Sequence, residues 1–263
     1  MKDCHVHSTF TDKNCDSLDK YVAAAKAKGI EELTISELLE IKDGAPSFAF
    51  NWYKLGVKRE KDNTGFNLNV GLELSLEPGI HDKVFRICHD RGLDYVCAST
   101  NKVGDKNISD SNFFIGKNKK DVYRKYFEHV LNNIDEHIDC FDVYTKLDQI
   151  IRFNKDKRFN YDDYSDILDA ILEKLVKNDK GIEVCTLMST DNNPLPMPYM
   201  TILGRYKDLG GKIITLGSGV SQADEICRYF DYAYDLVEAV GFSEIATYHK
   251  RTPDFEKVKS LRK

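Results

Sequence analysis

The sequence has no basic excess, no long apolar run and no paired-cysteine motif. Its 38 lysines and arginines are outnumbered by 43 aspartates and glutamates, which leaves a net charge of -5. Surfaces that bind nucleic acids or anionic membranes usually carry a strong basic excess, so we expect neither partner. No apolar stretch approaches the roughly 20 residues of a membrane span. The first residues also lack the apolar core of a secretory signal.

The cysteines are odd in number and widely scattered. There are 7 of them without a CxxC pair, a pattern typical of reduced thiols in a cytoplasmic protein and not of a cysteine-rich zinc site. A length of 263 residues with 41% hydrophobic and 31% charged residues fits one globular domain that spans residues 1–263. We expect a monomer or a small homo-oligomer.

Short apolar runs alternate with amphipathic stretches along the whole chain. Strands are predicted at 32–36, 68–74, 95–99, 141–146, 182–186, 212–216 and 245–248. Helices are predicted at 17–28, 81–91, 119–136, 162–176, 199–209 and 224–240. Ser17 and Gly29 are the expected caps of the first helix.

This repeated strand–helix–strand order predicts an α/β fold with parallel strands joined by right-handed crossovers. An open doubly wound sheet is the alternative, but no glycine-rich phosphate loop follows any predicted strand. A closed barrel therefore fits better, with its functional site at the carboxyl ends of the strands.

Two histidines stand one residue apart near the start of the sequence, in a predicted strand. The alternation of a strand places His5 and His7 on one face, about 6–7 Å apart, which is close enough for both to bind one cation. The alternative is a pair of polar residues that face solvent on an edge strand.

Several further motifs follow in one order along the chain. They are Asp3-Cys-His-Val-His-Ser8, Gly71-Leu-Glu-Leu74, Phe141-Asp-Val143, the acidic stretch 161–167, the stretch 205–218, Asp231-Tyr-Ala233 and Lys250-Arg-Thr-Pro253. With this set the chain resembles the PHP (polymerase and histidinol phosphatase) family, and especially its histidinol-phosphatase branch, over essentially its whole length. The resemblance implies a distorted TIM-like (β/α)7 barrel. It also implies a phosphoesterase site with two or three metal ions at the strand ends.

The resemblance predicts metal ligands at positions 5, 7, 38, 73, 101, 146, 219 and 221. His5, His7 and Glu73 fit, whereas the other positions carry Leu38, Asn101, Lys146, Gly219 and Ser221. Leucine and glycine offer no side-chain donor, and a lysine ammonium repels a cation. We therefore expect the multi-metal site to be dismantled. At most, the first three residues would hold one divalent ion such as zinc, manganese or iron, and a metal-free polar network is the alternative.

The losses fall only at strand ends, which indicates a rebuilt pocket, through divergence or deliberate engineering. The alternation of 142–146 would place Lys146 and Tyr144 on one face, where partial burial would lower the pKa of the lysine. Lys146 could then form a Schiff base with a small carbonyl substrate in a retro-aldolase-type reaction that needs no cofactor, with Tyr144 transferring protons. The expected pocket consists of Leu38, Asn101, Cys185, Leu187, Gly219, Val220, Ser221 and Tyr248.

Three other hypotheses stay open at this point. The first is a residual single-metal phosphoesterase that acts on a small phosphomonoester such as histidinol phosphate. The second is a non-catalytic scaffold or ligand-binding protein. The third is a Cys185 thiolate that pairs with His5, His7 or His249 to hydrolyse activated esters.

Overall fold

The computed structural model describes residues 1–110 and 112–262 of the chain. Its strands are β1 (Lys2–Val6), β2 (Glu32–Leu39), β3 (Ile41–Lys42), β4 (Ala45–Pro46), β5 (Asn67–Ser75), β6 (Tyr95–Ser99), β7 (Lys102–Val103), β8 (Lys106–Asn107), β9 (Val143–Tyr144), β10 (Gly181–Cys185), β11 (Ile214–Gly217), β12 (Glu244–His249) and β13 (Thr252–Lys257). Its α-helices are α1 (Leu18–Lys28), α2 (Phe50–Thr64), α3 (His81–Cys88), α4 (Lys119–His137), α5 (Gln149–Phe153), α6 (Ser165–Lys177), α7 (Met200–Asp208), α8 (Phe230–Val240) and α9 (Val258–Leu261).

Within these described residues, seven strands form one parallel sheet in the order β1-β2-β5-β6-β9-β10-β11. The two edges of this sheet meet just beyond β11. There the backbone N–H of His7 donates to the carbonyl of Val220 (2.9 Å), and the N–H of Gly219 donates to the carbonyl of His5. The sheet therefore curls into a nearly closed barrel, which confirms the predicted fold class.

The helices cover the barrel with the apolar faces that the sequence pattern predicts. Helix α1 buries Leu18, Tyr21, Val22 and Ala25 and ends at Gly29, whose φ of 66° is left-handed. Glycine adopts this conformation without steric cost, so the predicted C-cap is confirmed. Ser17 is the N-cap residue, although its side chain makes no capping hydrogen bond. No helix in residues 1–110 and 112–262 is long and apolar enough to cross a membrane.

Helix α2 was absent from the prediction because its sequence carries a weak amphipathic signal. It buries only Tyr53 and Val57, and it has a glycine in its interior. A Cβ atom on Gly56 would press against the far end of the Phe10 ring, which would have to move. The glycine therefore allows the close approach of Phe10, although its intrinsic helix propensity is poor.

The predicted strand at 245–248 exists but lies outside the barrel. It belongs to β12, which pairs with β13 in an antiparallel hairpin. The connecting residues Lys250 and Arg251 both have positive φ, 51° and 64°. This is the conformation of a two-residue type I′ turn, which the sequence hides because neither residue is the usual asparagine or glycine.

The position of this hairpin corrects the prediction for Tyr248, which was expected at the mouth of the barrel. Tyr248 packs on Tyr95, the first residue of β6, with ring centres 5.4 Å apart. It belongs to a small buried cluster with Cys4, Cys97 and Val143. The tyrosine therefore helps to fill the amino-terminal end of the barrel, away from the pocket.

Candidate active site

A single buried carboxylate, that of Glu73 on β5, organises the polar centre of the barrel. Its Oε2 atom faces two imidazoles, at 3.0 Å from Nε2 of His5 and 3.4 Å from Nε2 of His7. Its Oε1 atom forms an ion pair with Lys146 and accepts a hydrogen bond of 2.6 Å from Ser99 Oγ. The two oxygens of one carboxylate thus serve different partners.

A second buried carboxylate holds the other side of the His5 ring. Nδ1 of His5 lies 2.8 Å from Oε1 of Glu183, which also accepts a hydrogen bond from Thr145. Tyr95 donates to Oε2 of Glu183 at 3.1 Å. The imidazole is thereby fixed between the two glutamates, with Nε2 turned towards Glu73.

These contacts determine the charges of the buried groups. Burial is the largest influence on His5 and disfavours its imidazolium, but the charges and hydrogen bonds of Glu183 and Cys97 together hold the pKa of His5 well above its ordinary value. Burial would raise the pKa of Glu73, but the Lys146 ammonium and the two histidines hold that pKa well below its usual range. Burial would also raise the pKa of Glu183, but the charges of His5 and Lys146 and the hydrogen bonds from His5 and Thr145 together lower it. Without a metal ion, the carboxylates of Glu73 and Glu183 are therefore balanced by the cationic forms of His5 and Lys146.

His7 has a different electrostatic environment from His5. Burial lowers the pKa of His7, so its neutral imidazole is favoured. Its Nδ1 atom is buried and has no hydrogen-bond partner among the described residues. A neutral imidazole with its Nε2 directed at a carboxylate is the form that binds a metal ion.

The structure contradicts the predicted chemistry of Lys146. Strand β9 ends at Tyr144, and Lys146 has a φ of 53°, in the left-handed region. The strand alternation is therefore interrupted, and the side chain turns onto Glu73 with only 7% of its surface exposed. Burial alone would lower the pKa of Lys146, but the charge of Glu73 raises it above its ordinary value. The expected free amine is instead a paired ammonium.

Tyr144 does not share a face with Lys146, although the strand alternation predicted that it would. Its side chain is buried in the main hydrophobic core with residues of α4, including Tyr126 and Val130. Its hydroxyl bonds to Thr100 Oγ1 at 2.7 Å, and burial raises the pKa of the phenol. Tyr144 therefore packs away from Lys146 and does not serve as its proton-transfer partner.

A cavity of about 300 Å³ opens beside His7 at the carboxyl ends of β1 and β2. Two predicted pocket residues, Leu38 and Ser221, line it. Asp12 and Lys42 stand at the same cavity, so it offers charges of both signs. It is the opening through which a small molecule reaches the partly exposed ring of His7.

Asn101 contacts the centre indirectly. Its amide nitrogen lies 3.1 Å from Ser99 Oγ and 3.3 Å from Ser75 Oγ, and Ser99 in turn donates to Glu73. Its amide oxygen accepts from Gln149. This asparagine therefore orients a hydroxyl that holds the central carboxylate.

The remaining predicted pocket residues form no continuous apolar wall. Val220 is buried in the hydrophobic core beside the barrel seam. Leu187 is 40% exposed and approaches Gly219, where an added Cβ would lie 3.1 Å from the leucine Cβ. Of the expected apolar residues, Leu38 alone lines the cavity beside His7.

The predicted thiolate of Cys185 is disfavoured by its surroundings. The side chain is fully buried, and burial raises the pKa of the thiol to about 12. His249 lies on β12, in the hairpin outside the barrel, and contacts Glu32 instead. A cysteine with a raised pKa is a poor nucleophile at neutral pH, so these surroundings do not favour the Cys–His hypothesis.

The centre contains a group of side chains with donor atoms suited to one metal ion. Donor atoms of His5, His7 and Glu73 all lie within 4.8 Å of one another. Glu183 supplies the outer carboxylate that commonly orients a metal-binding histidine. The lowered pKa of His7, which favours its neutral form, supports the same assignment. The residues therefore fit a single divalent ion on the Oε2 side of Glu73, while Lys146 covers the Oε1 side.

Three residues that build this centre had no assigned role in the sequence prediction. They are Glu183, which contacts His5, Ser99, which donates to Glu73, and Thr145, which donates to Glu183. Glu183 carries a usable signal, because an acid within an otherwise apolar strand predicts a buried polar partner. The two hydroxyl residues carry none, because serine and threonine are common at strand ends.

Comparisons with known proteins agree with this architecture. The PHP domain profile matches residues 3–186. A histidinol-phosphatase from Lactococcus lactis is 25% identical over 253 residues, covering 94% of this chain and 93% of the relative. A probable histidinol-phosphatase from Thermotoga maritima is 27% identical over 252 residues, covering 95% of this chain and 97% of the relative.

Solved structures give the same result. The crystal structure of a Lactococcus lactis histidinol phosphate phosphatase, complexed with zinc, L-histidinol and phosphate, superimposes with a TM-score of 0.84 at 25% identity. The match covers 96% of this chain and 98% of that chain. A putative histidinol phosphatase from Listeria monocytogenes shares the fold, with a TM-score of 0.72 at 17% identity, over 88% of this chain and 100% of that chain. The chain belongs to the PHP domain family.

Proposed function

We propose that this protein hydrolyses a small phosphomonoester, such as histidinol phosphate, at a site that holds one divalent cation between His5, His7 and Glu73. The observation that carries the proposal is the approach of two imidazole Nε2 atoms to one oxygen of Glu73, at 3.0 and 3.4 Å. The Lactococcus lactis relative, whose structure contains zinc, L-histidinol and phosphate, supports the choice of substrate. Zinc, manganese and iron all accept two imidazoles and one carboxylate.

The reaction transfers a phosphoryl group to water. A water oxygen bonds to phosphorus, the ester P–O bond breaks, and the leaving alcohol oxygen takes up a proton. A bound divalent cation would supply a Lewis acid for a phosphoryl oxygen. Glu183 keeps His5 oriented towards this place, and the neutral ring of His7 faces it from the cavity side. The ammonium of Lys146 supplies a fixed positive charge next to the same carboxylate.

One cation, and not a cluster, suits the residues of this chain. Leu38 and Gly219 offer no donor atoms, and Asn101 is engaged with Ser99 and Gln149. The Lys146 ammonium occupies the side of Glu73 where a further cation would have to bind. We infer that the lysine provides part of the positive charge that additional metal ions would supply, which makes this a one-metal variant of a phosphoesterase centre.

The two other functional hypotheses fare differently. A Schiff-base catalyst loses its support because Lys146 is paired with Glu73 and its pKa is raised, which disfavours a free amine. A non-catalytic binding protein would use the same cavity without hydrolysis, so direct measurement separates it from an enzyme.

The test is phosphate release from histidinol phosphate by the metal-stripped chain, after addition of zinc, manganese or iron(II). His7→Ala is the informative variant, because His7 is outside the buried ion pairs and its removal leaves them intact. His249→Ala is the matched control, because that histidine lies on the hairpin outside the barrel. We expect metal-dependent turnover in the wild type and the control, and a loss of about 100-fold or more in His7→Ala.

Two outcomes would contradict this proposal. Turnover that survives in His7→Ala would place the chemistry elsewhere. A wild type that binds histidinol phosphate in calorimetry, yet releases no phosphate with any of the three metals, would instead support the non-catalytic binding protein.

A further inference from the structure

A second group of potential metal ligands lies outside the barrel, between the start of α3 and the turn that joins α4 to β9. Nε2 of His81 lies 3.0 Å from Oδ1 of Asp139. The thiol of Cys140 donates to the same carboxylate oxygen at 3.5 Å. Nitrogen, oxygen and sulfur donor atoms of these three residues all lie within 4.8 Å of one another.

A buried histidine, His137, lies beside this group, and the carboxylate of Glu136 is 3.7 Å from its Nε2 atom. The rings of His81 and His137 have their centres 5.8 Å apart. Nδ1 of His137 bonds to the backbone carbonyl of Asn133 at 2.9 Å, which makes Nδ1 the protonated nitrogen. Its Nε2 therefore carries a free lone pair, yet it is buried and has no hydrogen-bond partner in the part of the chain that the structure describes. Metal-binding histidines typically have this arrangement, with one nitrogen on a carbonyl and the other free for the ion.

We propose that His81, Asp139 and Cys140 form a zinc site that is separate from the barrel centre. A thiolate, an imidazole and a carboxylate are donors that zinc accepts, and a water molecule completes the tetrahedron in sites with three protein ligands. Binding removes the proton of the Cys140 thiol and the proton held between His81 and Asp139, and both are released to solvent. Asp139 and His81 are partly exposed, which leaves a path for the ion, whereas Cys140 is buried.

The position of this site gives it a clear structural role. It would tie the first residue of α3 to the turn that leads into β9, a barrel strand of only two residues, Val143–Tyr144. Lys146 follows that strand directly and forms the ion pair with Glu73. A zinc ion here would therefore stabilise the segment that positions Lys146 without belonging to the catalytic centre.

Cobalt(II) provides the test, because a thiolate ligand gives a near-ultraviolet charge-transfer band that a site without sulfur does not. The full chain is reduced, stripped with a chelator and titrated with cobalt(II). We expect a saturable band in the wild type, its loss on addition of zinc, and no band in Cys140→Ser. His81→Ala, a change at a partly exposed residue, should fold normally and weaken cobalt binding by at least about tenfold.

Two control variants separate this site from other sources of the band. His7→Ala removes a ligand of the barrel centre and should keep the band, so the result does not depend on the proposed phosphatase. Cys227→Ser removes a thiol elsewhere on the chain and should also keep it. A band that persists in Cys140→Ser, disappears in His7→Ala or is absent from the wild type would overturn the proposal.

Discussion

Replacing Lys146 with methionine removes an ammonium from a buried ion pair while keeping a side chain of similar shape. The pair with Glu73 is almost entirely shielded, with 7% of the lysine and 0% of the glutamate side chain exposed. Breaking such a pair by removing one partner typically costs about 3–5 kcal/mol, because a charge is left buried. Glu73 would still accept hydrogen bonds from His5 and Ser99, so we expect the lower end, about 3 kcal/mol.

Scanning calorimetry in the presence of a chelator measures this cost. For a chain of this length, about 3 kcal/mol corresponds to a fall in Tm of roughly 6 °C. Lys20→Met is the matched control, because Lys20 pairs with Asp16 on the surface and 64% of its side chain is exposed. Exposed pairs contribute little, so the control should melt close to the wild type.

The same variant should respond more strongly to metal. Removal of a like charge a few ångströms from the bound cation favours binding, and we expect the affinity for zinc to rise about tenfold or more. An unchanged Tm in the chelator would refute the buried ion pair with Glu73. Weaker zinc binding by Lys146→Met would refute the inference that the ammonium competes with a metal ion.

Three further changes follow from single contacts. Burial raises the pKa of Asp148 to about 6 from 3.8, so the wild type should lose about 3 kcal/mol of stability as pH rises from 4 through 6. Asp148→Asn keeps an acceptor for the Tyr199 N–H and should remove that loss. Denaturant unfolding at several pH values measures the stability of both proteins, and the same dependence on pH in both would contradict the prediction. Gly219→Ala should cost about 1–2 kcal/mol in urea unfolding, because the φ of Gly219 is 65° and Leu187 lies close; a neutral effect would argue against this backbone conformation. Glu183→Gln should weaken zinc binding about 10–100-fold in calorimetry by loosening the orientation of His5, and unchanged affinity would remove Glu183 from the outer shell of the site.

The local sequence pattern was sufficient to predict the strands and helices whose apolar residues recur with a clear period. The strand at 95–99 is predicted at its observed bounds, since an apolar run follows Gly92 and Asp94 and is fully buried. Helix α4 is predicted to within a residue because its buried positions recur at helical spacing. Helix α2 was missed because it buries only two residues, and the barrel strand β9 was predicted too long because Lys146 leaves the extended conformation.

The candidate site was predictable only in part. The proximity of His5, His7 and Glu73 was predictable, since residues at strand ends converge at one end of a parallel barrel. The prediction of both histidines in one strand was wrong for His7, because β1 ends at Val6. The direction of the Lys146 pKa was wrong because strand alternation cannot show which charge faces a side chain. Burial alone lowers a lysine pKa, and burial beside a carboxylate raises it.

The sequence by itself determined the alternation of strands and helices, the barrel that follows from it, and the placement of His5 and His7 at the carboxyl end of the first strand. Tertiary structure alone decided the state of charge at the centre. Glu73, Lys146 and Glu183 come from three different strands or strand ends, and they meet only because the parallel sheet curls upon itself. Electrostatic energy depends on distances of a few ångströms between such groups, and a local pattern contains no information about those distances.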